Sequence, residues 1–337
     1  MNSPITGKPM KLVKDSGVKL QFRKEEFEIT YHSYLCKESK EQYTSDELDR
    51  INQTQVHNQY RERYGIPFPD EIQSIREKYE ISASKMSDIL GLGANSYRLY
   101  EGGEIPSVAN GRLILAIKHP RDFMKQVEAS THLISEKERK QLESQAKGLL
   151  EEQKRKVWDI LFTKHIFINE MPNEFSGYKK PDFKKIASII KYFSIKQKEL
   201  FKTKLNKLLF YSDFGCFKRT GFSMTGITYR AIQMGPVPAQ FDKLYSKLND
   251  DNLLRIDQIP FENGNYGEAI KGLGEFEKDL FSVVEIAVLE DVFTKFKGLR
   301  TDNVVKLSHQ EKAWIENQKD HELISYQKYA FDLINLD

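Results

Sequence analysis

The sequence contains only two cysteines, Cys36 and Cys216, in 337 residues. A disulfide framework therefore cannot stabilise the fold, which is typical of proteins kept in a reducing compartment. The sequence also lacks any apolar run near the roughly 18–20 residues that a membrane span needs. Its first residues lack the apolar segment of a secretory signal. These absences predict a soluble, cytoplasmic protein that makes no membrane contact.

The signatures of common catalytic sites are missing as well. There is no Walker loop, nucleophile elbow, His-Glu-x-x-His or paired Cys-x-x-Cys. Gly91-Leu92-Gly93 follows a predicted helix and lacks the third glycine of a dinucleotide-binding loop. His309 lies five residues before Trp314 without a nucleophile signature, so we interpret it as a hydrogen-bonded histidine packed near the indole. We predict that the protein is not an enzyme and uses no cofactor.

Hydrophobic periodicity and turn residues predict a mainly α (α+β) fold in four segments. Residues 1–65 are β-rich, 66–122 contain short helices, 123–180 form a charged helical linker, and 181–337 form a mostly helical domain. The net charge of +3 permits a local nucleic-acid-binding patch but does not argue for one.

The first segment has the alternating pattern of short strands, followed by a helix from Ser45 to Tyr64. Asp15-Ser16-Gly17 and Arg23-Lys24-Glu25 have the composition of turns between strands. The predicted strands are Met10–Val13, Val18–Phe22 and Glu26–Tyr34.

Three short helices with tight connections are predicted next, at Pro69–Glu80, Ser82–Leu90 and Ala94–Glu101. The sequence that ends this stretch closely resembles Xre-type helix-turn-helix domains. These domains place Tyr-Glu at the end of the recognition helix, then Gly, and then Pro; here the elements are Tyr100-Glu101, Gly102-Gly103 and Pro106.

The resemblance implies that the start of the third helix enters the major groove of DNA. The residues there are Asn95, Ser96, Tyr97 and Arg98. Asn pairs well with adenine and Arg with guanine, so this cluster has the chemistry to read bases. The alternative is a structural helical module that no longer binds DNA, because Asp70–Glu104 carries seven acids and four bases and so lacks the basic excess that phosphate neutralisation needs.

The β-rich segment together with this helical module resembles MqsA-like antitoxins, which hold zinc between two Cys-x-x-Cys pairs. In this chain Ser3 and Thr6 stand at the first pair of positions, and Cys36 and Ser39 at the second. Zinc needs about four thiolate or imidazole ligands, and one cysteine cannot supply them. We therefore predict that no metal is bound and that Cys36 is a buried or idle remnant.

The second half of the chain is predicted to be mainly helical. Thr131–Ile160 is a charged helical stretch with few apolar positions, which indicates either a spacer or a helix packed at an edge. Apolar residues at helical spacing predict helices over 183–193, 200–211 and 277–296. The β-branched and turn residues in Ile227–Ile232 and Leu253–Glu268 favour hairpins or irregular structure.

Three sequence blocks in this half resemble the Panacea (SocA-like) antitoxin domain over roughly Pro181–Asp320. The first is Lys-Leu-x-Lys-Leu-Leu followed by two aromatic residues, at Lys204–Tyr211, where Phe210 replaces a common Tyr. The second is Ala-x-x-x-Gly-Pro-Val at Ala231–Val237. The third is Leu-Ser-x-His-x-Glu-x-x-Trp at Leu307–Trp314.

The resemblance implies an antitoxin that neutralises a toxin encoded nearby by binding it, and that represses its own operon through the helix-turn-helix. The implied partners are this cognate toxin and operator DNA, with a homodimer as an open alternative. Gly235-Pro236 is expected to fix a turn. The candidate toxin-binding residues, about half of which we expect in the core, are Tyr211, Phe214, Phe217, Phe222, Tyr229, Met234, Gly235 and Pro236.

Two other functions stay open at this point. One is a transcription regulator whose C-terminal domain acts as a sensor or an oligomerisation module. The other is a proteolytic adaptor that delivers a partner to a protease, a role that the SocA-like resemblance also implies. A short toxin-like reading frame beside the gene favours the antitoxin, whereas a lone gene favours the regulator.

Overall fold

The computed structural model describes residues 1–157, 161, 165–167, 171–197, 199–262 and 264–336. About half of these residues are helical and the sheets are small and antiparallel, which confirms the mainly α (α+β) prediction. None of the described helices is both long enough and apolar enough to cross a membrane.

The chain forms two compact units. One unit comprises residues 1–56 and 166–337, and the other comprises 57–165. The β-rich N-terminal residues thus belong to the same unit as the C-terminal half of the chain. The four-segment division remains a prediction from sequence.

The N-terminal sheet has three antiparallel strands in the order β1-β2-β3. The strands are β1 (Lys11–Phe22), β2 (Glu25–Leu35) and β3 (Gln42–Tyr43). The turn predicted at Asp15-Ser16-Gly17 is wrong, because these residues form a bulge inside one continuous strand: the register shifts between Asp15 and Val18. The second predicted turn is confirmed, with Arg23 and Lys24 both at positive φ.

Helix α1 (Asp46–Tyr64) follows the sheet, as predicted. Its amide side chains satisfy backbone groups of β2 that no strand pairs. Asn52 accepts from the His32 N–H at 2.8 Å and donates to the His32 carbonyl at 3.0 Å. Gln55 makes the same pair of bonds with Thr30 at 3.0 and 2.9 Å. These buried amides therefore extend the hydrogen-bond ladder of β2.

The second unit contains the helices predicted for the helix-turn-helix, followed by further helices. Ser82, Ser107 and Ser135 cap α3, α5 and α7 with side-chain hydrogen bonds. The bounds of the helices are α2 (Pro69–Glu77), α3 (Ala83–Ile89), α4 (Ser96–Glu101), α5 (Val108–Ala116), α6 (Pro120–Ala129) and α7 (Glu136–Arg155).

The charged helix α7 packs at the edge of this unit. Leu142 and Ala146 are its buried residues, and Leu142 joins a core that includes Tyr79, Met86 and Tyr97. The edge-packed alternative is therefore confirmed over the spacer, although 158–160 of the predicted stretch lie outside the described residues.

The C-terminal half contains seven α-helices and two hairpins within its described residues. The strands pair as β4 (Tyr229–Ile232) with β5 (Gly235–Pro238), and β6 (Leu254–Pro260) with β7 (Tyr266–Gly272), so the hairpin alternative is the one that the structure adopts. The helices are α8 (Phe183–Lys196), α9 (Lys202–Thr220), α10 (Phe241–Asp250), α11 (Val283–Phe296), α12 (Thr301–Ser308), α13 (Lys312–Ile315) and α14 (Tyr326–Tyr329).

One predicted helix is interrupted. Over 277–296 the chain forms a 3-10 turn at Lys278–Leu280 and then α11, because Ser282 forms a capping box with Glu285 that starts a new helix. The predicted helix over 200–211 continues in the structure as far as Thr220. It ends at Gly221, whose φ of 77° lies in the left-handed region.

Helix α9 lies at the centre of its unit, and every residue from Lys204 to Phe217 is buried. It contacts α8, α11, α12, β5 and β7. Its Asp213 carboxylate accepts hydrogen bonds from the backbone N–H groups of Met224 and Thr225 and from the hydroxyls of Thr225 and Tyr229, at 2.6–2.9 Å. Burial raises the pKa of Asp213 to about 6, against the lowering effect of these donors. Asp213 thus fixes the loop before β4 to the central helix.

Candidate functional site

The three sequence blocks of the C-terminal half meet at one place in the fold. Helix α9 supplies the first block, the β4–β5 hairpin the second, and the end of α12 with α13 the third. The Lys207 Nζ donates to the Pro236 carbonyl at 3.1 Å. The Trp314 Nε1–H donates to the Ile232 carbonyl at 2.7 Å. The Tyr211 hydroxyl donates to Glu311 at 3.1 Å. One hydrogen bond therefore joins each pair of blocks.

Gly235 occupies the point of closest approach between these blocks. Its φ is +93°, and a Cβ there would lie 2.5 Å from the Ser308 Oγ and 2.7 Å from the Lys207 Cε. Both the backbone conformation and the lack of space therefore require glycine. The turn expected at Gly235-Pro236 lies two residues earlier in the structure. The hairpin turns at Gln233 and Met234, whereas Gly235 and Pro236 belong to β5.

Lys207 is fully buried next to this glycine. It forms no ion pair with a carboxylate among the described residues. Its amine instead donates a hydrogen bond to the Pro236 carbonyl. Burial lowers the pKa of Lys207 to about 7, because the charged ammonium loses its hydration. The amine behind the hairpin therefore loses its proton, and with it the positive charge, more readily than an exposed lysine does.

Glu311 fastens the C-terminal residues to the same junction. Besides Tyr211, its buried carboxylate accepts from the Ile334 N–H at 3.0 Å and from the Asn335 N–H at 3.2 Å. The Asn335 side chain donates at 2.9 Å. Burial and the neighbouring carboxylate raise the pKa of Tyr211, which keeps its hydroxyl protonated as a donor.

His309 stacks on Trp314 with ring centroids 3.8 Å apart, so the predicted packing against the indole is confirmed. Burial and the nearby Lys207 lower the pKa of His309, whereas a hydrogen bond to the Gln233 backbone raises it. The imidazole is therefore held beside the β4–β5 turn. It also lines a groove on the surface of the same unit.

This groove, which we call the Met234 groove, has a volume of about 1100 Å³. Its walls come from the start of α9, the β6–β7 hairpin, the start of α12 and the β4–β5 turn. Three large apolar side chains in it are exposed: Met234 at 51%, Phe261 at 43% and Tyr266 at 69%. The charged lining residues are Glu199, Lys202, Lys204, Glu268, Arg300, Asp302 and Lys306. The groove therefore combines exposed apolar surface with charges of both signs.

The structure separates the candidate toxin-binding residues into core and surface. Tyr211, Phe214, Phe217 and Tyr229 are fully buried, so the prediction that they form a contact surface needs correction. They pack in an aromatic cluster; Phe214, for example, stacks on Tyr326 at 4.1 Å.

Among the other candidates, Gly235 and Pro236 are also buried, and Phe222 is half-buried. Among the eight candidates, Met234 is the one that is exposed, and it lines the groove. The sequence reasoning missed Phe261 and Tyr266, which flank the β6–β7 turn. Their position beside the turn signal Glu-Asn-Gly-Asn was the available clue, because aromatics at a hairpin tip have few neighbours to cover them.

The predicted DNA-reading residues also divide into two groups. Asn95 and Arg98 are exposed and Ser96 is half-buried at the start of α4. The prediction that Tyr97 belongs to a DNA-reading surface needs correction, because Tyr97 is fully buried. Its hydroxyl donates to the Ile72 carbonyl at 2.8 Å. Glu101, from the Tyr-Glu pair, accepts from Arg76 of α2 at 2.6 Å and so anchors the end of α4.

The four positions compared with a zinc site lie together in the N-terminal unit. The Thr6 hydroxyl is 3.4 Å from the buried Cys36 Sγ. Hydrogen bonds from Ser39, Thr6 and Ser3 lower the pKa of Cys36 to about 6. The described residues contain no group of three or more His, Cys, Asp or Glu side chains able to hold a metal. The absence of zinc stays a prediction.

Gly235→Ala should lower the free energy of unfolding much more than Gly264→Ala. Both glycines have positive φ, +93° and +80°, but a Cβ at Gly264 meets nothing within 4 Å. The backbone conformation alone costs about 1–2 kcal/mol, and overpacking at Gly235 adds about 1–3 kcal/mol. Urea denaturation of both variants measures the difference. Equal losses would mean that the close approach at Gly235 does not constrain the fold.

Lys207→Met should remove a pH dependence of stability. Lys207 has an ordinary pKa of 10.5 when unfolded and about 7 when folded, so the unfolded chain binds more protons between these values. The free energy of unfolding of the wild type should therefore rise with pH, relative to Lys207→Met, by up to about 1.4 kcal/mol per pH unit. Denaturation curves of both proteins across this window give the difference. Parallel curves would show that Lys207 keeps its ordinary pKa.

Comparison with known proteins gives one match. No curated protein and no solved structure matches the chain. The family model described as "Antitoxin SocA-like, Panacea domain" matches residues 205–315, which include most of α9, both hairpins, α11, α12 and the third sequence block. Residues 205–315 of this chain are therefore similar to the SocA-like Panacea antitoxin domain.

Proposed function

We propose that the protein is the antitoxin of a toxin–antitoxin system, that it neutralises a cognate toxin by direct binding through the Panacea domain, and that it acts without catalysis. The observation that carries this proposal is the Met234 groove. It lies against the junction of the three Panacea blocks, and it exposes large apolar side chains in a domain whose family consists of antitoxins.

Protein-binding surfaces derive most of their affinity from a few large side chains in a partly enclosed site with a polar rim. Met234, Phe261 and Tyr266 provide such side chains, and the charged residues of the groove provide the rim. The frame beneath them is rigid, because buried hydrogen bonds join α9, the β4–β5 hairpin and Glu311. A rigid site loses less conformational freedom when a partner binds.

We further propose that the segment from 66 to 122 is a helix-turn-helix that binds operator DNA and represses the protein's own operon. Asn95 and Arg98 support this proposal, since both are exposed at the start of α4, where they are free to meet base edges. The same observation favours a second candidate function, a DNA-binding transcription regulator in which the Panacea domain binds no toxin.

The full-length chain should rescue cells that express the toxic reading frame beside its gene. A Met234→Ala/Tyr266→Ala variant should bind that toxin at least tenfold more weakly and rescue poorly, because central apolar anchors contribute about 2 kcal/mol or more each. The matched control is Ile195→Ala/Val283→Ala, which removes two exposed apolar side chains outside the groove.

Binding is measured with purified proteins, and melting curves check that every variant folds. If the wild-type chain neither binds the toxin nor rescues, the antitoxin function is wrong. If both double variants lose binding equally, the toxin does not bind at the Met234 groove.

Asn95→Ala and Arg98→Ala should each weaken binding to the promoter while toxin neutralisation is unchanged. A lost bidentate base contact costs about 1–3 kcal/mol, or roughly 5- to 150-fold in affinity. Arg121→Ala is the control, because it removes an exposed charge from α6 of the same unit. A mobility-shift assay on promoter DNA decides the outcome. Equal binding by all variants would show that α4 reads no bases, and no binding by the wild type would refute operator binding.

A further inference from the structure

The Met234 groove presents free charges of both signs: within the described residues Glu199 and Asp302 form no ion pair, and neither do two of its cations. Lys202 is paired with Asp242 at 3.1 Å and with Glu268. Within the part of the chain that the structure describes, Arg300 and Lys306 form no ion pair, and both are exposed. A partner that brings carboxylates to these two residues would therefore form new charge-assisted hydrogen bonds without breaking existing ones.

Two buried lysines lie at or behind the floor of the groove, and burial lowers the pKa of each, so they hold less positive charge than exposed lysines. The Lys204 Nζ donates to the Leu299 carbonyl at 2.8 Å, and burial lowers its pKa. Lys207 lies behind the β4–β5 turn, close enough to His309 to lower the pKa of that imidazole. The lining also includes the first residues of α12, whose N-terminal end carries partial positive charge. Arg300 and Lys306 are therefore the exposed cations on the α12 side of the groove.

The opposite wall exposes two aromatic side chains. Phe261 and Tyr266 project from the β6–β7 hairpin, and Phe261 packs against Phe201 with centroids 5.5 Å apart. Met234 lies at the β4–β5 turn between the two walls. The occupant best suited to this groove therefore has apolar side chains on one side and negative charge on the other.

Size and charge pattern favour a peptide over other occupants. The volume of about 1100 Å³ exceeds the roughly 300–1,000 Å³ of ordinary small-molecule sites. A nucleic-acid strand would require a continuous basic track. Here the carboxylates of Glu199, Glu268 and Asp302 interrupt such a track. A peptide, unlike a nucleic-acid strand, can carry carboxylates only at the positions that face the cations of the groove.

We propose that the Met234 groove binds an acidic segment of the toxin, with carboxylates at Arg300 and Lys306 and an apolar side chain against Phe261 and Tyr266. This inference rests on the proposed antitoxin function and adds the chemistry of the bound segment. The electrostatic part governs recognition and the association rate, whereas the apolar part holds the complex together.

Fluorescence anisotropy with the full-length protein tests the groove directly. The probe is a labelled short peptide in which Glu alternates with Leu and Phe, and a second probe has Gln in place of every Glu. The acidic peptide should bind about tenfold more tightly than the Gln peptide, which corresponds to about one charge-assisted contact. Added salt should reduce this difference.

Lys306→Glu should weaken the acidic peptide by about the same factor. Lys295→Glu is the matched control, because it makes the same charge change on α11 outside the groove and should leave the affinity unchanged. Tyr266→Ala should weaken both peptides. Single-stranded RNA should not displace the acidic peptide.

In the binding assay, three results would overturn the inference: equal binding of the two peptides, equal effects of Lys306→Glu and Lys295→Glu, or displacement of the peptide by RNA, which would indicate a nucleic-acid site. Rescue from the neighbouring toxin separates this failure from failure of the proposed function. Rescue by the wild type and equally by Lys306→Glu would leave the antitoxin function intact and refute the acidic-segment inference. Lack of rescue by the wild type would refute the antitoxin function itself.

Discussion

Helix α9 is buried on every side from Lys204 to Phe217, so each polar side chain along it must find a partner inside the protein. Asp213 meets four donors from the segment before and within β4, Tyr211 meets Glu311, and Lys207 meets the Pro236 carbonyl. Each of these bonds fixes a different element against the helix. The rest of the unit is therefore arranged around the hydrogen-bonding requirements of one central helix.

The Panacea blocks build this frame rather than the exposed surface. Gly235 lets the β5 strand approach α9, and Glu311 and Trp314 tie the C-terminal residues and β4 to it. The residues exposed in the Met234 groove, apart from Met234 itself, lie outside the block patterns. Because the frame does not depend on these surface residues, they can change without disturbing the buried hydrogen bonds.

The short helix α4 of the second unit is also held in place by buried polar contacts. Tyr97 and Glu101 of α4 are used inside their unit, one by hydrogen bonding to the Ile72 carbonyl and the other by pairing with Arg76. These two contacts fix the rotation of α4 about its axis. That rotation leaves Asn95 and Arg98 exposed. The residues that orient a short helix are thus interleaved with those available to a ligand.

Features set by neighbouring residues could be determined from the sequence alone. Helices α2, α3 and α4 and the Ser82 cap follow from caps, turns and hydrophobic spacing, which act over a few residues, and turn residues favoured hairpins or irregular structure where the two C-terminal hairpins lie. Only the tertiary structure decided which aromatics are covered. Tyr211 and Phe214 have the helical spacing of any amphipathic helix, but the pattern does not reveal that other elements cover α9 on all sides.

The placement of the N-terminal residues also depended on long-range contacts. The bulge at Asp15 and the bonds of Asn52 and Gln55 to β2 depend on how the strands and α1 pair, not on local propensity. Likewise, Tyr266 and Arg300 lie far apart in sequence and meet in one groove only through the packing of the β6–β7 hairpin and α12 around α9. The sequence thus determined the local elements, whereas the packing of these elements around one buried helix determined the site.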